Sequence, residues 1–195
     1  MNVRRFFFGV FVSTFILLSL SSVVSGNEKV SKSTPTLTLK ALKNAEYKHQ
    51  DAASGVAKLT DGVYKERFTE EQGSEREMVI ELIPESTAFG DLDGDGVDDA
   101  AVLLMEYGGG SGIFISLSAV INDKGAPKPV ATVSLGDRTK ITSVVIKSRE
   151  IILTMVTHGP NDAMCCPTLK VTQKYTLQGG KLVELSGEDK GNTGK

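Results

Sequence analysis

Short apolar runs rich in Val, Ile, Thr and aromatic residues follow one another along most of the chain, separated by Gly, Asp and Asn. Strands favour β-branched and aromatic residues and turns favour the separating residues, so the pattern predicts many short strands. The predicted strands cover residues 56–59, 63–66, 78–83, 100–107, 113–121, 130–135, 141–147, 151–157, 169–177 and 182–185. Because the intervening turns are only a few residues long, neighbouring strands can pair only antiparallel. We therefore predict a mainly β (α+β) fold built as an antiparallel meander sheet.

One segment near the start of this region has a helical spacing instead. In residues 36–47, Leu37, Ala41, Leu42 and Ala45 recur near the helical period among good helix formers. The spacing predicts one short amphipathic N-terminal helix.

Two of the predicted strands lack the alternation of apolar and polar residues that is typical of a sheet with one solvent-exposed face. Residues 100–105 and 151–156 are apolar almost throughout. Such continuous runs are typical of strands that are buried on both faces. We therefore expect the sheet to be curled or covered.

The two ends of the chain differ from this central region. Arg4 and Arg5, an apolar stretch over residues 6–20 and small residues up to Gly26 predict a signal peptide at 1–26, with an uncleaved membrane anchor as the alternative. Residues 27–35 are polar and are predicted to be a flexible tether, and residues 186–195 a disordered tail. Between them, residues 36–185 are predicted to form a single β-rich domain. The predicted location is the periplasm or the exterior.

The charge balance limits the classes of partner. The chain has 22 Lys and Arg against 24 Asp and Glu, a formal net charge of −2 at pH 7, and no strongly basic run. Neutralising several phosphates requires clustered basic residues, so we expect no nucleic-acid partner. The expected partner is an unknown protein or envelope ligand, and contact with a membrane is expected only through an uncleaved signal segment.

An aspartate-rich loop is the strongest chemical signal in the sequence. Carboxylates stand at positions 1, 3, 5 and 9 of this loop, at Asp91, Asp93, Asp95 and Asp99. Calcium takes six to eight oxygen ligands at about 2.3–2.6 Å, and the spacing predicts these four side chains and the backbone carbonyl of Val97 as ligands. The predicted cofactor is therefore Ca²⁺, and the alternative is an acidic turn that binds nothing.

The details of the loop separate it from other calcium motifs. Gly94 and Gly96 permit the positive φ that lets a chain wrap around an ion. An EF-hand would require Glu at position 12, where this chain has Val102. The segment from Phe89 to Val102 resembles the calcium loop of FG-GAP repeats in integrin propellers, where such a loop (DxDGDGxxD) leads into a strand. The resemblance implies a calcium loop but no propeller, because the chain has one copy.

Adjacent cysteines provide the second chemical signal. Cys165 and Cys166 are the only cysteines, so they can bridge each other, bridge another chain or remain thiols. Three interpretations stay open: a rigid bridged loop that forms a small recognition surface, a buried pair of thiols without a role, and a redox or soft-metal site. In the last interpretation His158 and Met164 would join the two sulfur atoms as ligands.

Several of these segments together extend the likeness beyond the loop. Gly-Asp-Leu-Asp-Gly-Asp-Gly-Val-Asp-Asp, His-Gly-Pro-Asn-Asp and Cys-Cys-Pro-Thr resemble segments of uncharacterised exported bacterial proteins, over most of residues 39–185. The chain is also similar, to a lesser degree, to LppP/LprE-type lipoproteins, although it lacks their lipidation cysteine. The resemblance implies an exported single domain and implies no activity.

These observations lead to one functional expectation and one alternative. The chain has no Gly-x-Ser-x-Gly element, no His-Glu-x-x-His and no phosphate-binding loop, so we expect no enzymatic activity. We expect an exported, calcium-binding, β-rich binding or interaction module of unknown ligand. The alternative is a thiol-disulfide redox or soft-metal-binding protein that uses Cys165 and Cys166, and a hydrolase using His158 and Asp162 would need a nucleophile beside them.

Overall fold

The structure is a computed structural model that describes residues 35–69, 73–108 and 110–185. The predicted signal peptide 1–26, the tail 186–195 and all of the tether 27–35 except Pro35 lie outside the described residues. Within the described ranges, one short α-helix precedes the strands. The elements are α1 (Leu39–Leu42), β1 (Glu46–Lys48), β2 (Val56–Lys58), β3 (Val63–Thr69), β4 (Glu75–Leu82), a 3₁₀ turn (Pro84–Ser86), β5 (Ala88–Gly90), β6 (Asp99–Tyr107), β7 (Ile113–Asp123), β8 (Ala126–Asp137), β9 (Lys140–Lys147), β10 (Glu150–Thr157), β11 (Leu169–Gln178) and β12 (Lys181–Leu185).

The strands form three antiparallel sheets. The largest has six strands, in the order β3-β4-β6-β7-β8 with β5 also paired to β6. A second sheet has the order β12-β11-β10-β9, and β1 and β2 form a separate hairpin. Neighbours along the chain are mostly neighbours in a sheet, which confirms the predicted mainly β antiparallel meander with one short N-terminal helix. In the described part of the chain, no helix has the length and hydrophobicity that crossing a bilayer requires.

Strand β6 lies at the centre of the domain and is buried on both faces. Ala100, Val102 and Leu104 point into a core formed with α1, β1 and β2. The alternate residues Ala101 and Leu103 point into a second core, formed against the four-stranded sheet. The partners from that sheet are Ile151, Leu153, Met155 and Tyr175. The covered sheet that the apolar run predicted is therefore present.

The same expectation is wrong for strand β10. Ile151, Leu153 and Met155 are buried, whereas Ile152 and Val156 are only half-buried. Val145, which is paired with Ile152, is 48 % exposed. The four-stranded sheet is an outer layer of the domain. Strand β10 therefore has one face in the core and one face that is partly exposed to solvent.

The helix is shorter than the predicted 36–47, and a strand begins where its last turn was expected. The carbonyl of Lys43 accepts a hydrogen bond from Gly62 N–H at 2.7 Å, and that of Ala45 accepts one from Leu59 N–H at 3.0 Å. These carbonyls are paired with the β2–β3 region rather than with a following helical turn. Tertiary hydrogen bonding thus ends the helix and starts β1.

Candidate metal sites

The aspartate loop connects β5 to β6 and is held by apolar contacts at its start. Leu92 is 1 % exposed and belongs to the core between the two larger sheets. Just before it, Gly90 packs so closely against β9 that an added Cβ would lie 2.8 Å from Cγ2 of Ile146. The loop therefore leaves the sheet surface in a fixed position.

Three of the predicted ligands converge in this loop. Asp91, Asp93 and Asp99 can each present one carboxylate oxygen so that all three atoms lie within 4.8 Å of one another. Asp91 is half-buried, Asp93 is exposed and Asp99 is 1 % exposed. The group thus extends from the protein interior to solvent, an arrangement in which a hard cation can exchange water for carboxylate oxygens.

Asp99 also connects the loop to the sheet. Its Oδ2 accepts a hydrogen bond from Leu92 N–H at 2.9 Å and its Oδ1 accepts one from Asn122 N–H at 2.8 Å. Burial raises the pKa of Asp99 above its usual range, although these two hydrogen bonds oppose the shift. A cation next to this carboxylate would favour its charged form.

The remaining predicted carboxylate, Asp95, is placed differently. Asp95 lies outside the group of three, and its Oδ1 accepts a hydrogen bond from Val97 N–H at 2.8 Å. Asp91 in turn accepts from Gly94 N–H at 2.5 Å and from Gly96 N–H at 3.1 Å. Each carboxylate oxygen has two lone pairs, so these bonds leave capacity for an ion on the grouped carboxylates.

A cation from the second sheet lies over the loop. Arg149, in the turn between β9 and β10, donates from Nη2 to the backbone carbonyl of Asp93 at 2.7 Å. A Cβ on Gly94, where φ is +92°, would lie 2.9 Å from the Arg149 guanidinium carbon. The positive φ favours glycine at this position, and a larger residue would also displace the Arg149 guanidinium.

The cysteine loop has its own internal bonds. The structure joins Cys165 and Cys166 in a disulfide, and both residues are exposed. Across the loop, Asp162 Oδ2 accepts from Gly159 N–H at 2.8 Å and from Thr168 N–H at 2.7 Å. These hydrogen bonds hold the pKa of Asp162 below its usual range. The carboxylate therefore joins the two ends of the loop, and its Oδ1 also accepts a hydrogen bond from the Thr168 hydroxyl at 2.7 Å.

Three of the four predicted soft-metal ligands in this loop, His158 and the two cysteines, are already bonded, whereas Met164 is 80 % exposed. His158 Nε2 lies 3.0 Å from the carbonyl oxygen of Met164 and, because a carbonyl can only accept, donates to it. The same carbonyl accepts from Arg138 Nη1 at 3.2 Å. With the two sulfur atoms bonded to each other, the loop does not present a ready set of nitrogen and sulfur ligands.

A second convergent group was missed by the sequence analysis. His49, Asp51 and Glu106 can each offer a ligand atom within 4.8 Å of the other two. His49 Nε2 lies 3.5 Å from Glu106 Oε2, and His49 Nδ1 lies 4.0 Å from Asp51 Oδ2. His49 is 7 % exposed, and within the described ranges its Nδ1 has no hydrogen-bond partner.

The charges of this group are controlled chiefly by burial. Burial, together with the nearby Asp51, raises the pKa of Glu106 to about 7. Burial also lowers the pKa of His49, and the charge of Asp51 only partly opposes this. The close approach of His49 and Glu106 therefore occurs where burial disfavours both charges, so it is not a strong ion pair.

The group opens into a cleft of about 740 Å³ beside strand β8. Ser116 also lines this cleft; it is 8 % exposed, and in the part of the chain that the structure describes its Oγ has no hydrogen-bond partner. Phe114, 47 % exposed, contributes an aromatic surface to the cleft. Among the described residues, His49 and Ser116 thus line one cleft, and each has a buried polar atom without a hydrogen-bond partner.

One sequence signal for this second group exists in retrospect. Glu106 is the only charged residue in the apolar stretch that follows Asp99 in β6, and His49 and Asp51 stand two residues apart. A lone carboxylate in a buried strand requires a partner. The sequence does not indicate that the partners of Glu106 are His49 and Asp51, which lie between β1 and β2.

Comparison with known proteins adds no relative. No protein-family model matches the chain, and no curated protein or solved structure shows significant similarity to it.

Proposed function

We propose that this chain is an exported, β-rich binding module whose aspartate loop holds a calcium ion. The observation that supports the proposal is the convergence of Asp91, Asp93 and Asp99 within 4.8 Å in a loop of FG-GAP-like sequence. The predicted signal peptide supports export to the periplasm or the exterior, where weak calcium sites of about 10⁻⁴–10⁻³ M are sufficient.

The ion would connect parts of the domain rather than perform chemistry. Asp99 is hydrogen-bonded to β7 through Asn122, and the carbonyl of Asp93 is held by Arg149 of the second sheet. An ion shared by Asp93 and Asp99 would therefore link an exposed loop to both larger sheets. The module would then present a rigid surface to a protein or envelope ligand.

Calorimetric titration of the full chain with calcium, after treatment with a chelator and its removal, tests the proposal. We expect one ion to bind with a dissociation constant of about 10⁻⁴–10⁻³ M. Asp93→Asn should abolish the binding, whereas Asp98→Asn, an exposed neighbour outside the group of three, should preserve it. Absence of binding in the wild type, or equal binding by both variants, would contradict the proposal.

The second candidate function is thiol-disulfide exchange at Cys165 and Cys166. The exposure of both cysteines in a bonded state favours it. In such an exchange a substrate dithiol would be oxidised to a disulfide while the Cys165–Cys166 bond is reduced to two thiols. Labelling of thiols with and without reductant, followed by an exchange assay with a reduced peptide, would detect this activity. No transfer to the peptide would leave the bond with a structural role.

A further inference from the structure

A histidine and two carboxylates meet at the mouth of a cleft that the aspartate loop does not reach. His49 follows β1, Asp51 lies in the β1–β2 turn and Glu106 lies on β6. Ser116 lines the same cleft, and in the part of the chain that the structure describes its Oγ has no hydrogen-bond partner. All four residues lie outside the aspartate loop and the cysteine loop.

The position of His49 is fixed by its surroundings. Two residues before it, Tyr47 is fully buried and its hydroxyl donates to the Leu42 carbonyl at 2.9 Å. The backbone N–H of His49 donates to the Gly55 carbonyl at 3.1 Å, across the β1–β2 turn. Lys48, the flanking cation, donates to the Val130 carbonyl at 3.2 Å and is thereby engaged outside the group. The backbone at His49 is therefore fixed, its imidazole is 7 % exposed, and within the described residues no hydrogen bond reaches the imidazole Nδ1.

The interatomic distances fit a small transition-metal ion. Two ligand atoms bound to one tetrahedral zinc at about 2.0–2.2 Å lie roughly 3.3–3.6 Å apart. His49 Nε2 and Glu106 Oε2 are 3.5 Å apart, which matches this separation. One ligand atom from each of His49, Asp51 and Glu106 can be chosen so that all three lie within 4.8 Å of one another. The 4.0 Å contact of Asp51 is with the other ring nitrogen, Nδ1, so the side chain of Asp51, which is 48 % exposed, would move towards Nε2 and Glu106 to complete a three-ligand set.

The ligand chemistry selects the class of ion. Imidazole nitrogen suits zinc and its neighbours in the first transition row, whereas calcium and magnesium prefer sites made of oxygen alone. We propose that His49, Asp51 and Glu106 form a second metal site, which takes Zn²⁺ or a similar transition-metal dication.

The cleft gives the site a route to further ligands. Three protein groups occupy three of the four positions of a tetrahedral zinc, which leaves one for water or for a molecule in the cleft. A buried hydroxyl without a partner is costly unless a ligand or water satisfies it. Ser116 Oγ is such a group, and with Phe114 it lines the space beside the site. The site therefore binds metal at the edge of a ligand-sized cavity.

The test is a titration of the untagged full chain with Zn²⁺, and with Co²⁺ for visible absorption, in excess calcium so that the aspartate loop is occupied. The chain contains two histidines, which provides a matched pair of variants. His49→Gln should weaken zinc binding by at least about 100-fold, since loss of an outer-shell partner alone costs 10–100-fold. His158→Gln, in the cysteine loop, should leave binding unchanged.

Two more variants keep the result clear if His49→Gln fails to fold, which circular dichroism would show. Asp51→Asn, at a partly exposed position, should weaken binding by at least about tenfold, as should Glu106→Gln. Asp93→Asn should have no effect on zinc, so failure of the calcium proposal is distinguishable from failure of this one. The proposal is overturned if zinc does not bind, if binding survives in the variants of His49, Asp51 and Glu106, or if it depends on His158.

Discussion

Asp99→Asn is the substitution that best tests how the aspartate loop is connected to the sheet. The change keeps the size of the side chain but replaces one carboxylate oxygen with an NH₂ group. Both oxygens of Asp99 accept backbone donors, one from Leu92 and one from Asn122. Because an asparagine amide has a single acceptor atom, one of these N–H groups would face another donor. One of two buried hydrogen bonds, either the one from Leu92 within the loop or the one from Asn122 of β7, is thereby lost, with or without a metal.

The expected loss of stability follows from the burial of this residue. Asp99 is 1 % exposed, so water cannot replace the lost acceptor. An unsatisfied buried donor costs about 1–3 kcal/mol, and we take about 2 kcal/mol. Each kcal/mol lowers the melting temperature by roughly 2–4 °C in a domain of this size. In excess chelator, Asp99→Asn should therefore melt about 4–8 °C below the wild type.

Asp93→Asn should behave differently, because Asp93 is exposed. Its Oδ1 accepts from Asp95 N–H at 3.1 Å, and an asparagine oxygen can replace it in this bond. In chelator this variant should melt within about 2 °C of the wild type, as a surface substitution does. With about 10 mM calcium and a dissociation constant of about 10⁻⁴–10⁻³ M, the wild type should gain about 1.4–2.7 kcal/mol, and Asp93→Asn nothing.

Scanning calorimetry of the three proteins, each with chelator and with calcium, provides the measurement. The wild type should show a calcium-dependent rise of about 3–11 °C in melting temperature. If Asp99→Asn melts at the wild-type temperature in chelator, the inference from its two hydrogen bonds is refuted. If Asp93→Asn keeps the full calcium-dependent rise, the convergence of the carboxylates does not reflect ion binding.

Three further substitutions test other parts of the structure. Tyr47→Phe removes the hydroxyl that donates to the Leu42 carbonyl. It should lower the free energy of unfolding in urea by about 1 kcal/mol, or by more if no water reaches the carbonyl. An unchanged urea midpoint would show that the hydrogen bond contributes nothing to stability. Gly90→Ala places a Cβ 2.8 Å from Ile146 and should cost about 1–3 kcal/mol and weaken calcium binding, whereas tolerance of alanine would show that β5 and β9 are not in close contact. Hydrogen bonds depress the pKa of Asp162, so the stabilisation of the cysteine loop by its carboxylate is present above about pH 4 and is lost as the pH falls through the folded-state pKa. The rate of proteolytic cleavage in the cysteine loop should therefore rise as the pH falls through the folded-state pKa, and Asp162→Asn should remove this pH dependence.

The sequence predicts long strands well and very short ones poorly, for a physical reason. The apolar run of residues 100–105 indicates burial on both faces because each alternate residue lies in a different core. Strands β1, β2 and β5 have three residues each, too few for a period to be recognised. Strand β2 is still predicted, at 56–59, because it lies in a short apolar run before a turn, whereas β1 overlaps the predicted helix and β5 lies directly before the aspartate loop. In the predicted helix 36–47, the apolar spacing is real, but Tyr47 and Ala45 are buried as parts of a strand and a turn. The same residues satisfy either pattern, and tertiary hydrogen bonds decide between them.

The two candidate metal sites also differ in how far the sequence predicts them. The aspartate loop is local in sequence, so its spacing alone predicts which carboxylates can meet. It does not predict that Asp95 bonds to a backbone N–H instead of joining the group. His49, Asp51 and Glu106 meet only because the β1–β2 hairpin packs on the six-stranded sheet, and no local spacing encodes that contact.

The division of β6 between two cores has a consequence for how this chain tolerates change in length. Deleting one residue inside 100–104 would shift the remainder of the strand by half a pleat, and every side chain beyond the deletion would turn to the opposite layer. Glu106 would then point away from His49. Substitutions on this strand alter one layer at a time, whereas a single-codon deletion would disturb both layers and the cleft together.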